Sequence, residues 1–148
     1  MKLMLFIGLL AATEALNYTL AVHTHPEAKN ARTKGKFYLS AINYQGDLVD
    51  FGLFSNDPRE AGDITTFDLS SDMDLGRIGC FTIRTKSKDK WLFGKACISS
   101  ETDVGFCHIN SEDIFISRDT SVDGDNGVLA MQMCAPPLTK AEVKEIGL

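Results

Sequence analysis

The feature that most constrains this chain is a period-two alternation of apolar and polar residues, recurring in short runs from Asn17 to Cys134. In RIGCFTIR, Phe81 and Ile83 alternate with Cys80, Thr82 and Arg84. In WLFGKACIS, Ala96 and Ile98 alternate with Lys95 and Cys97. Successive side chains of a strand point to opposite faces, so each run buries one face and wets the other. NYTLAVHT reads the same way through Tyr18, Leu20 and Val22, and KFYLSAINYQGDLVDFGLF gives two more strands, with Phe37, Leu39 and Ala41 alternating in the first. ITTFDL resumes the pattern with Ile64 and Thr66, Phe67 switching faces, and then GFCHI, DIFISR and VLAMQMC continue the series.

Turn formers separate the runs: Gln45-Gly46-Asp47 suits a hairpin, Asn56-Asp57-Pro58 and Glu60-Ala61-Gly62-Asp63 a loop, and Asp74-Leu75-Gly76 a tight turn where φ turns positive. Many short strands punctuated in this way specify an all-β chain, an antiparallel β-sandwich of about eight strands. A short C-terminal helix is expected after Pro136-Pro137, because Thr139 followed by Glu142 has the spacing of a capping box.

MKLMLFIGLLAATEA places Lys2 before an apolar run and ends in small residues, the pattern of a secretory signal peptide cleaved near Ala15. The expected organisation is therefore residues 1–15 as signal peptide, 16–135 as one sandwich and 136–148 as a tail. A secreted, extracellular monomer is expected, with no transmembrane segment, since no later run approaches the roughly 20 apolar residues of a membrane span. The net charge of −5 argues against nucleic acid, whose binding depends on clustered Lys and Arg. Asn17-Tyr18-Thr19 is an N-glycosylation sequon.

Cys80, Cys97, Cys107 and Cys134 are an even set in an oxidising compartment, so two disulfides are expected. Zinc is disfavoured because there is no CxxC pair. Of three connectivities, Cys80 with Cys97 and Cys107 with Cys134 is preferred if the strands flanking the basic segment are neighbours. Each bridge would contribute about 2 to 4 kcal/mol.

Between the two central runs lies Arg84-Thr85-Lys86-Ser87-Lys88-Asp89-Lys90-Trp91, four cations against one anion beside the only tryptophan. Arg84, Lys86, Lys88, Lys90 and Trp91 could place ammonium groups at lipid phosphates and an aromatic ring among headgroups, at about 1 kcal/mol per cation. The plainer alternative is a solvated hairpin turn with Trp91 packed beneath it.

Catalytic signatures are missing. There is no GxSxG elbow, HExxH helix or phosphate loop. Cys107 and His108 are adjacent and would point to opposite faces of a strand. His23 and His25 lack a third ligand to hold a metal.

The order and spacing of Thr66-Phe67, Asp74-Leu75-Gly76-Arg77-Ile78, Phe81, Ile83, Trp91, Lys95, Ala96 and Ile98 resemble the central pattern of the lipoxygenase-homology (PLAT) β-sandwich family. Tyr18 to Thr24 resembles that family's opening strand, Phe106-Cys107 its FPC segment, and Asp123-Gly124-Asp125 its acidic turn, so the likeness covers roughly residues 17 to 134. The resemblance implies a non-catalytic module that binds lipid or membrane surfaces in some members and proteins in others, sometimes with calcium. Asp119, Asp123 and Asp125, or Asp57, Glu60 and Asp63, would be the calcium ligands. Thr33-Lys34-Gly35-Lys36 stands where the family has an acidic GTDA-like segment, which weighs against calcium, and no cofactor is expected. A lipid or membrane surface is the expected partner. A protein-recognition domain is the alternative, and a small secreted hydrolase or toxin a third reading.

Overall fold

The computed structural model describes residues 15–26, 35–55, 60, 62–118, 127–145 and 147. The proposed signal peptide lies almost wholly outside the described residues.

Alternation in the sequence becomes alternation in burial. The strand β1 (Leu16–Thr24) buries Tyr18, Leu20, Val22 and Thr24, and β2 (Phe37–Asn43) buries Phe37, Leu39, Ala41 and Asn43. After them come β3 (Leu48–Ser55), β4 (Ile64–Ser71), β5 (Ile78–Thr85), β6 (Phe93–Ser100) and β7 (Phe106–Ile109). Two short strands, β8 (Phe115–Ile116) and β9 (Gly127–Val128), pair in parallel, and β10 (Ala130–Cys134) and the helix α1 (Lys140–Glu145) close the series.

Two four-stranded antiparallel sheets form a sandwich, the first in order β4-β1-β6-β7 and the second in order β10-β5-β2-β3. Their inner faces meet in one core that includes Tyr18, Leu20, Phe37, Leu39, Phe81, Ile83, Trp91, Phe93, Ile98 and Met133. Thr65, Phe67 and Leu69 form the inward side of β4, while Ile64 and Thr66 face out.

Local signals read from sequence act as expected at three places. Asn43 Oδ1 accepts from the N–H groups of Gln45 (3.1 Å) and Asp47 (2.8 Å), closing the β2–β3 hairpin, where Gly46 has φ 92°. Gly76 has φ 59° and donates to Asp74 Oδ1 at 2.7 Å. Thr139 and Glu142 exchange the two capping-box bonds, at 2.8 and 3.2 Å. Tyr18 carries the Asp74-Leu75-Gly76 turn on its hydroxyl, donating to Met73 O (2.8 Å) and accepting from Leu75 N (3.0 Å).

Two expectations are corrected. The strands flanking the basic segment are not a hairpin: β5 belongs to the second sheet and β6 to the first, so the segment crosses the end of the sandwich. The preferred disulfide pairing falls with it. All four cysteines are bridged, but as Cys80–Cys134 and Cys97–Cys107. Each bridge joins directly opposed residues of neighbouring strands, Cys134 opposite Cys80 in β10–β5 and Cys97 opposite Cys107 in β6–β7, with Cα atoms 4.0 Å apart. Cys80 and Cys97 sit in different sheets and point away from the core, where no bond can join them.

Candidate functional site

The β5–β6 connection is built by its short polar residues. Thr85 Oγ1 donates to Lys36 O (2.7 Å) and accepts from Ser87 N (3.0 Å). Ser87 Oγ accepts from Asp89 N (3.1 Å), Ser117 Oγ donates to Lys88 O (3.0 Å), and Arg118 N donates to Ser87 O (2.7 Å). Gly35 lies so close that a Cβ there would meet Ser87 Oγ at 3.0 Å. The backbone is therefore held from both sides, and the lysines extend from a fixed platform.

The five candidate side chains separate by environment. Lys86 and Lys88 are exposed. Lys90 is half-buried, its ammonium 5.3 Å from the Phe115 ring centre. Arg84 lies on the outer face of the second sheet, paired with Asp50 at 3.1 Å and 5.5 Å from the Tyr38 ring. Trp91 is the correction: it is fully buried, donates from Nε1 to Thr24 Oγ1 at 3.0 Å, and packs on Phe37 with ring centres 4.8 Å apart. It plugs the core and presents nothing to a membrane.

Sequence reading passed over Tyr38 and Lys36. Tyr38 is directly opposite Arg84 in the β2–β5 ladder, and Lys86 Nζ lies 5.7 Å from its ring. The alternation of Phe37, Leu39 and Ala41 already placed Tyr38 outward, but only the register brings it beside these cations. Asp50 is held below the ordinary carboxylate range, first by the Gly52 N–H bonded to it and then by Arg84.

Asp119, Asp123, Asp125 and Asp57 lie outside the described residues. Asp63 Oδ2 accepts from Glu60 N (2.8 Å), and among the described residues no group of three His, Cys, Asp or Glu side chains is arranged to hold a metal. Cys107 is consumed by its disulfide and cannot serve as a nucleophile beside His108. His25 approaches Asp113 at 3.7 Å, while His23 stands opposite Lys95. Asn17 and Thr19 face outward on β1, and the Asn17 amide donates to Glu101.

The opposite end of the sandwich has a different character. Val104 (92 % exposed), Leu48 and Met73 stand among Asp47, Asp72, Asp74, Glu101 and Asp103. A cavity of about 500 Å³ there is lined by Ile78, Phe106, Pro136 and Pro137, beside the Arg77–Glu142 ion pair (3.0 Å) that docks α1. Glu142 is held below the ordinary carboxylate range first by the Thr139 N–H and then by Arg77. Among the described residues no helix is long and apolar enough to cross a membrane.

No protein-family model matches the chain, and no curated protein sequence matches it. Among solved structures, a LOX variant superposes with TM-score 0.65 at 15 % identity, over 82 % of this chain and 16 % of that one. Coral 8R-lipoxygenase, described as activated by calcium through a C2-like domain, gives 0.58 at 17 %, over 80 % and 16 %. Alpha toxin from Clostridium absonum gives 0.60 at 14 %, over 82 % and 32 %. The chain thus spans between a sixth and a third of these neighbours, and the likeness is one of fold, consistent with a PLAT-like sandwich.

Proposed function

We propose that this chain is a secreted, non-enzymatic PLAT-like module that attaches to a lipid or membrane surface by the end of the sandwich bearing the β5–β6 connection. The observation that carries the reading is that exposed apolar residues share one end of the sandwich with Lys36, Lys86 and Lys88. Ile64 (75 %), Ile109 (67 %), Leu129 and Leu53 are exposed at the end that also displays Lys36, Lys86 and Lys88, with Asp63 beside Ile64 and Glu112 and Asp113 close to Ile109 in sequence. At the other end, Val104, Leu48 and Met73 are flanked in sequence by Asp103, Asp47, Asp72 and Asp74, with Arg77, Lys140 and Lys144 at the same end, and the carboxylates disfavour an anionic surface. Apolar side chains with cations beside them suit the boundary between headgroups and acyl chains. The coral lipoxygenase neighbour, whose C2-like domain shares this fold, lends support by analogy. Two disulfides suit an oxidising compartment.

Co-sedimentation with phospholipid vesicles tests the proposal. The protein is expected to pellet with them, and Ile64→Asp or Leu129→Asp should weaken binding by about tenfold, the loss of one buried aliphatic side chain. Val104→Asp at the far end should leave binding unchanged. Absence of binding to vesicles of every composition sinks the proposal.

A further inference from the structure

The cations singled out in the β5–β6 segment do not act from that loop alone. Tyr38 lies on the outer face of the second sheet, its ring 5.5 Å from the Arg84 guanidinium and 5.7 Å from Lys86 Nζ. The exposed Lys36 enters β2 beside them, its carbonyl held by Thr85 Oγ1 at 2.7 Å. Two cations, Arg84 and Lys86, thus flank one aromatic ring, with Lys36 two residues before Tyr38 on the same side of the chain. Aromatic faces attract and orient cations, so Arg84 and Lys86 are held rather than left to sweep through solvent. Asp50 offsets part of the charge of Arg84, leaving Lys36, Lys86 and the nearby Lys88 to set the local sign.

The surroundings of this patch bear on its ligand. Leu53, 46 % exposed, is opposite Tyr38 in the β2–β3 ladder. Cations that coordinate a phosphate, with an exposed aliphatic side chain beside them, match a lipid headgroup with its acyl boundary better than they match a free anion. Positive charge here is part of the covalent chain, so no bound ion is required to bridge protein and phosphate. Resting on the lipid-contact reading above, we infer that the face around Tyr38, with Lys36, Arg84 and Lys86, is a phosphate-headgroup site, so that attachment requires anionic lipid and no divalent cation.

The test uses the folded chain with phosphatidylcholine vesicles and with phosphatidylcholine–phosphatidylserine vesicles, both in chelator. Binding is expected only to the anionic vesicles and should weaken with added salt. Lys36→Gln and Lys86→Gln should each reduce affinity by roughly fivefold. A Lys140→Gln, Lys144→Gln double variant, which removes two charges from α1 at the far end, should bind as the parent does. Asp50→Asn should tighten binding, a gain that damage to the fold cannot produce. Equal binding to neutral vesicles, a requirement for added calcium, or parental affinity in the Lys36 and Lys86 variants overturns the headgroup site while leaving lipid attachment standing. Failure to bind any vesicle overturns both.

Discussion

Gly105 shows how much one residue can decide. Its φ is 66°, and a Cβ added there would lie 1.7 Å from Ile98 O and 2.7 Å from its carbonyl carbon. The chain entering β7 passes directly over β6, and only a residue without a side chain fits. Gly46 also has positive φ, at 92°, but a Cβ there would meet nothing within 4 Å. The two positions separate backbone strain from collision. Gly46→Ala should cost about 1 to 2 kcal/mol, the strain alone, whereas Gly105→Ala should exceed about 4 kcal/mol. Urea midpoints of the two variants check this, and similar losses would show that β7 is not held against β6 as described. Trp91 makes a related point: a residue placed beside a charged loop in sequence is wholly enclosed, because its indole N–H finds a partner in Thr24 inside the sandwich.

At the scale of elements, the two disulfides have a common task. Each ties a short edge strand to its longer neighbour: β7, of 4 residues, to β6, and β10, of 5 residues, to β5. Short edge strands have few ladder bonds to hold them, and each lies at the edge of its sheet away from the β3–β4 contact. The bridges differ in the chain they close, 54 residues for Cys80–Cys134 and 10 for Cys97–Cys107. Loop-closure entropy then assigns about 4 kcal/mol to the first and about 3 kcal/mol to the second. Removing the pair Cys80 and Cys134 by alanine substitution should lower the urea midpoint more than removing Cys97 and Cys107. The reverse order would mean that strain or residual structure outweighs chain entropy here. The β5–β6 connection is the other element of consequence, since hydrogen bonds from Thr85, Ser87, Ser117 and Arg118 make a platform of what would otherwise be a solvated charge run.

Among the described residues the main core is filled from both sheets, with Trp91 among its members, and Leu92 and Phe115 form a small second cluster. Neither sheet can retain its packed face without the other, so unfolding should be a single cooperative event. The fluorescence of the only tryptophan and the far-ultraviolet circular dichroism should therefore change together in urea. An earlier fluorescence change would show that the end near Trp91 opens on its own. Across the molecule, exposed apolar residues occur at both ends, and both ends carry charges of both signs, with Lys36, Lys86 and Lys88 exposed at the β5–β6 end.

The positions of the eight sandwich strands, the outward direction of Cys80 and Cys97, the glycine turns at Gly46 and Gly76 and the Thr139–Glu142 cap were legible in the amino-acid order, whereas the parallel β8–β9 pair and the inward face of β4 were not. Each depends on residues within a few positions of one another, where alternation, positive φ and capping are properties of the local chain. Only the tertiary structure decided that β5 and β6 enter different sheets, that Cys80 bonds Cys134, that Trp91 is enclosed and that Tyr38 stands between Arg84 and Lys86. The physical reason is that alternation fixes which face a side chain takes but carries no label for the strand beside it. That choice belongs to crossovers between the sheets and to register, which are settled by packing over the whole core.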